Sequence, residues 1–253
     1  MKMLNKELDA KIIGDDLCRL ANIIWDAGIC TDIGPLTSAG NSCSKNATKD
    51  EWSYRFDFLE FNISSQAGCI PAECEDLKLR FSIDIKGIIQ DDPKLIKNPL
   101  KNLKFDLELI GTGYDFVNNN ILQLHSSWHL DKHIRAAKDN KPKYSHPEYH
   151  LAFGGSKMEA KNDLYGSSLI LPTPRLAYPP MDAALGINFI LQNYYQKDKI
   201  APILDNTDYK SIISNSERML IEPYAKSMLS NWCNLDCKFE DYFDGNSIFP
   251  LAM

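Results

Sequence analysis

The chain has 253 residues, 44% of them hydrophobic and 25% charged, which is enough to bury a substantial core. Its net charge of -6 argues against a protein that coats nucleic acid or a membrane through its overall field, so any basic patch has to be local. No apolar run approaches the roughly 20 residues that cross a bilayer, and the N-terminus, MKMLNKELDAKIIGDDLCRL, lacks the apolar core of a secretory signal, so a cytoplasmic protein with no membrane association is expected.

Residues 5–27 place Leu8, Ile12, Ile13, Leu17, Leu20, Ile23 and Ile24 at helical intervals and then meet Gly28, which predicts an amphipathic N-terminal helix. The small polar residues that follow, among them Ser38, Gly40, Asn41, Ser42 and Ser44, predict a mobile loop over 34–49. Three segments then carry the strand pattern: 54–63 is aromatic and β-branched, 77–85 alternates Leu77, Leu79, Phe81, Ile83 and Ile85 with polar residues, and 103–109 repeats the alternation. The intervening 91–101 and 111–120, rich in proline, charge, glycine and asparagine, read as connections, and their shortness favours an antiparallel meander.

The next two apolar patterns are strands with opposite faces of different character. Residues 121–131 put Leu122, Leu124, Ser126, Trp128 and Leu130 on one side and Gln123, His125, Ser127, His129 and Asp131 on the other, with His133 continuing the polar row. Around residue 150, Tyr149, Leu151 and Phe153 oppose His146, Glu148 and His150. From Leu171 the chain changes: LPTPRLAYPP leads into a helical MDAALGINFILQNYY, with Pro180 in its first turn, and a further helical pattern over 207–233 contains Pro223, which should kink or split it. The aromatic, acidic tail 239–253 can dock on the body or serve a partner. Together these give a single α+β domain over 1–253: an N-terminal helix within 1–33, an antiparallel meander of about five strands over 50–160, and a C-terminal helical part with its tail over 171–253.

Seven cysteines at irregular spacing read as reduced thiols; neither Cys69 with Cys74 nor Cys233 with Cys237 has the spacing of a zinc finger. All five histidines, in contrast, lie between residues 125 and 150. If the two histidine strands are neighbours, their polar rows share one face, with directly opposed or diagonal Cβ atoms roughly 4.5 to 8 Å apart. The metal-ligand candidates are His125, His129, Asp131, His146 and His150, with zinc or manganese as the divalent ion. His129, His150 and Glu148 are the candidates for catalysis, Glu148 as a general base. The alternative is that these histidines are tolerated polar residues on half-exposed strands, some capping turns at Pro147 and Gly154.

Between the two strands, Lys132, Arg135, Lys138, Lys141 and Lys143 sit with Asp139 as the lone acid, a grip suited to a phosphate-bearing substrate, nucleic acid or nucleotide. A second motif, Asp84-Ile85-Lys86 at a strand end, is similar to the acid-x-lysine signature of restriction-endonuclease-like nucleases, with Asp57, Glu60 or Asp76 as the upstream acid.

From His146, HPEYHLAFGG followed by LPTPRLAYPPMDAALGINFILQNYY resembles a class of uncharacterised bacterial proteins with a His-Pro-x-x-His strand, a glycine turn and a proline-preceded helix. That resemblance implies an antiphage or mobile-element context. The element order is also loosely similar to the ubiquitin-conjugating fold, but no cysteine stands between Cys74 and Cys233, which implies at most a non-catalytic relative. Two functions are therefore expected as alternatives: a hydrolase of nuclease or phosphodiesterase type centred on His129 and His150, or a non-enzymatic subunit of a multiprotein complex that docks other proteins through its C-terminal helices and tail.

Overall fold

The structure, a computed structural model, describes residues 10–46, 48, 50–64, 74–90, 92, 94–115, 118–133, 147–159, 175–240 and 243–248. It is α+β: N-terminal and C-terminal helices on an antiparallel six-stranded sheet. Helix α1 (Ala10–Asp26) buries Ile13, Leu17, Leu20, Ala21 and Ile24, the stripe its spacing predicted. It stops through paired bonds from Gly28 N to the Trp25 carbonyl and from Ile29 N to the Ile24 carbonyl, which satisfy two of the last free carbonyls.

The expected loop at 34–49 is instead mostly a second helix, α2 (Gly34–Asn46). Its small residues reflect close packing: a Cβ on Gly40 would stand 2.6 Å from the Gly14 carbonyl oxygen of α1 and 2.7 Å from Cys18 Sγ. Leu36, Ala39, Gly40 and Cys43 are its buried residues, at helical spacing, so the pattern was present but written in small side chains.

The sheet runs in the order β1 (Glu51–Asn62), β2 (Glu75–Ile88), β4 (Leu100–Asp115), β5 (Asn120–Lys132), β6 (Tyr149–Phe153) and β7 (Leu176–Ala177), every neighbour antiparallel. One face is the core. Trp52, Tyr54 and Phe56 of β1, Phe81 and Ile83 of β2, Phe105 and Leu107 of β4 and Leu130 of β5 are buried on it. Strands β2, β4 and β5 outlast their predicted bounds, and β4 continues to Asp115, through glycines expected to end it. A bulge in β1 sets two residues, Asp57 and Phe58, against Ser82 alone, the Ser82 hydroxyl donating to the Asp57 carbonyl.

A single turn, α3 (Ser156–Glu159), follows β6, and helix α4 (Ala183–Tyr194) lies on the core face, its Gly186 against Phe81 and Phe105. Asp182 rather than Pro180 opens it, accepting a 2.9 Å bond from Leu185 N, and the Tyr54 hydroxyl takes a bond from Ala183 N. After α5 (Lys197–Asp205) and α6 (Thr207–Ser216), the chain passes through a π-helical turn, Glu217–Ile221, into α7 (Glu222–Leu229), where Pro223 sits in the first turn. The backbone stays helical across both junctions, so the long helix is interrupted by a wider turn before Pro223, not ended there.

The short strand β3 (Leu95–Ile96) pairs in parallel with β8 (Lys238–Phe239), and Phe243 and Ile248 of the tail are buried. The described part of the tail therefore docks on the body. Among the described residues Cys18, Cys30, Cys43, Cys233 and Cys237 are reduced thiols, as expected, and Cys69 lies outside the described residues. Among the described residues, no helix is long and apolar enough to cross a membrane.

Candidate metal centre

The β5–β6 register decides which of the candidate side chains meet. Asp131 stands directly opposite His150, and His129 opposite Ala152, while Leu130 and Leu151 pair toward the core. Strand alternation then carries His129, Asp131 and His150 to the far side of the sheet together. One ligand atom from each lies within 4.8 Å of the others, and this is the group of metal-ligating type found among the described residues. The two imidazoles are perpendicular, with ring centres 6.1 Å apart, and His129 Nε2 is 3.7 Å from Asp131 Oδ2. His150 is buried; the other two are half-buried.

The donor set suits a divalent ion. Two nitrogens and one carboxylate form a borderline-hard site, and bonds of about 2.0–2.2 Å require only a small closing movement of these side chains. His129 is already oriented: its Nδ1 lies 3.3 Å from the Gly154 carbonyl oxygen, and because a carbonyl only accepts, Nδ1 carries the proton. Nε2 then presents its lone pair toward Asp131. The Gly154 carbonyl is itself fixed by a 2.8 Å bond from the buried Ser127 hydroxyl, and Gly154 N returns to the Ser127 carbonyl.

The electrostatics also favour a cation. Burial, together with the nearby Asp106 charge, pushes the Asp131 carboxyl above its ordinary value, against the pull of His129 and Lys104. Asp106, opposite His129 on β4, is likewise raised by burial and by Glu108, against Lys157 and His129. Two acids crowded in this way are relieved by a nearby positive charge.

The remaining sequence candidates lie elsewhere. His125 shares the face but stands four residues along β5, roughly 13 Å away at strand spacing; its Nε2 is 3.1 Å from Glu108 Oε2, and Lys157 Nζ is 3.1 Å from Glu108 Oε1. Burial works against Glu108's ionisation, yet these two partners hold its carboxyl below the usual range. Glu148 precedes β6 and escapes its alternation: it accepts from Asn98 Nδ2 at 2.8 Å and lies 3.6 Å from Lys132 Nζ. Lys132, on the core side, donates to the Leu100 carbonyl at 2.5 Å. The His133 amide bonds the Glu148 carbonyl. His146, Arg135, Lys138, Lys141 and Lys143 lie outside the described residues.

Asp106, Glu108 and Lys104 went unnoticed in the sequence. Their signal was the polar half of the 103–109 alternation, on a strand that a meander places beside β5. Asp84 and Lys86 belong to a lattice of cross-strand contacts instead: Lys86 pairs with Glu51 at 2.6 Å, Asp84 accepts from Asn102, and Glu60 binds Lys78 and Arg80.

Fold and site together define an α+β protein whose antiparallel sheet carries a two-histidine, one-carboxylate group on the face away from its core. No protein-family model, curated protein or solved structure matches the chain.

Proposed function

We propose that His129, Asp131 and His150 hold a divalent metal ion, zinc or manganese, and that the protein is a metal-dependent hydrolase of a phosphate-bearing substrate, of nuclease or phosphodiesterase type. The observation that carries this reading is the convergence of the three ligand atoms within 4.8 Å on one sheet face. Three protein ligands leave coordination positions for water and substrate. An ion bound there supplies Lewis acidity and lowers the pKa of a bound water. In this reading Asp106, which pairs with His129, accepts a proton, and exposed Lys104, which pairs with Asp131, neutralises phosphate charge. The defence context rests on the sequence resemblance alone.

The test is elemental mass spectrometry of untagged protein beside a folded His129→Ala/His150→Ala double variant. Near-stoichiometric metal in the wild type and its loss from the variant is the expected result; metal in neither, even after soaking, overturns the reading.

One observation favours a second function, a non-enzymatic subunit: at the end of α7, Leu229 is 42% and Trp232 59% exposed, although the described part of the tail is docked. That reading expects metal-free protein, and association with a protein partner that Trp232→Ala abolishes.

A further inference from the structure

The β1 bulge places an aromatic side chain where alternation alone would not. Phe56 and Leu59 both face the core, and the extra residue turns Phe58 out onto the opposite face, 53% exposed. The Arg80 guanidinium lies over its ring, 5.2 Å from the ring centre, and is itself tethered by a 3.1 Å bond to Glu60. One side of the ring is thus covered by a fixed cation and the rest is open, which is the form of a base-stacking platform.

Phe58 is also in line with the metal group. The bulge faces Ser82, Ser82 pairs with Asp106, and Asp106 pairs with His129, so a single transverse row joins the platform to the site. Three strand spacings make this roughly 14 Å. The adjacent row carries Arg55, Asp84, Lys104, Asp131 and His150 in order, and Arg55 and Lys104 are exposed.

We infer that the exposed part of this face, over β1, β2 and β4, binds single-stranded nucleic acid, with an unpaired base stacked on Phe58 and Arg80 and the backbone crossing the sheet past Arg55 and Lys104 toward His129. A single strand is specified because stacking on one exposed ring needs a base free of its partner. Asp84 and Asp106 share the face, so stacking carries more of the binding than charge, and the salt dependence is shallow compared with a polycationic groove. This names the substrate of the proposed hydrolase and relies on that reading only for the direction in which the strand runs.

The test is fluorescence anisotropy of a labelled mixed-sequence single-stranded oligonucleotide of about a dozen nucleotides, a typical site size. It is run in EDTA on the full chain, against the matching duplex. Wild type should bind the single strand in preference to the duplex, Phe58→Ala should bind roughly tenfold more weakly, and Phe58→Trp should bind as wild type. Because Phe58 is exposed, its removal leaves the core intact, and circular dichroism verifies this. Equal binding by wild type and Phe58→Ala, no binding by either, or a preference for duplex overturns the inference. Metal content measured on the same preparations separates the two ideas: metal without oligonucleotide binding removes this one alone, and binding without metal removes the hydrolase alone.

Discussion

The ring of His129 and the carbonyl of Gly154 face each other at 3.3 Å, and that contact determines which imidazole nitrogen is offered to Asp131. The turn that supplies the carbonyl requires glycine next door. Gly155 has φ +92, and a Cβ there would stand 2.9 Å from His129 Nδ1. Gly155→Ala is expected to cost about 1–3 kcal/mol of stability through backbone strain. It should also weaken metal binding about ten- to a hundredfold, as loss of a ligand's orienting partner does. Metal titration of the folded variant checks this; wild-type affinity would mean that the turn does not orient the ring.

His125 separates geometry from composition. It lies on the histidine face yet bonds Glu108, its side chain 1% exposed. His125→Ala should therefore leave metal stoichiometry unchanged while costing about 1–3 kcal/mol, because the partly buried Glu108 loses a hydrogen-bond partner. His129→Ala should show the converse, loss of metal. Urea denaturation and metal content, measured on both variants, distinguish the two; loss of metal from His125→Ala would extend the site along β5.

These contrasts mark what the sequence could reveal. Period two identified the apolar and the histidine-bearing faces of β5 and β6, because a slip of one residue would exchange them. It therefore placed His129, Asp131 and His150 together. It failed at Glu148, where β6 has not begun and alternation does not apply. The strand reading already separates His125 from His129 by about 13 Å, too far to share an ion, but it could not say that β4 would bring Asp106 across from His129, since register is set by pairing over distance. Helix α2 was missed for a different reason: Gly40 and Ala39 bury a helix face by allowing close approach, which a hydrophobicity pattern does not register.

Asp182 gives a pH dependence whose sign can be worked out. It is fully buried, and burial raises its carboxyl above the ordinary value of about 3.9, despite bonds from Leu185 N, Ser216 Oγ and Ala184 N that favour the ionised form. The folded state thus holds the proton more tightly than the unfolded chain. The resulting stability is fully present below the unfolded pKa and is lost as pH rises through the folded one. Asp182→Asn retains a cap of similar quality and removes the buried charge. The variant should melt at a higher temperature than wild type near pH 7, with the gap narrowing as pH falls toward 4; thermal melts across that range check this, and a gap that widens with acid would contradict the sign.

Lys132 was expected to grip substrate, but its surroundings assign it to the framework. Its ammonium donates to the Leu100 carbonyl and lies 3.6 Å from Glu148, whose side chain is 6% exposed and bonded to Asn98, which in turn takes the Tyr149 hydroxyl. Removing one member of a buried pair leaves the other charge uncompensated, so Lys132→Met should cost about 3 kcal/mol. Lys132→Met/Glu148→Gln should cost less than the sum of the single changes, a coupling that a double-mutant cycle in urea measures directly. A phosphate-binding lysine would behave otherwise: its loss would weaken substrate affinity and leave stability nearly unchanged, because an exposed cation has little folding energy to lose.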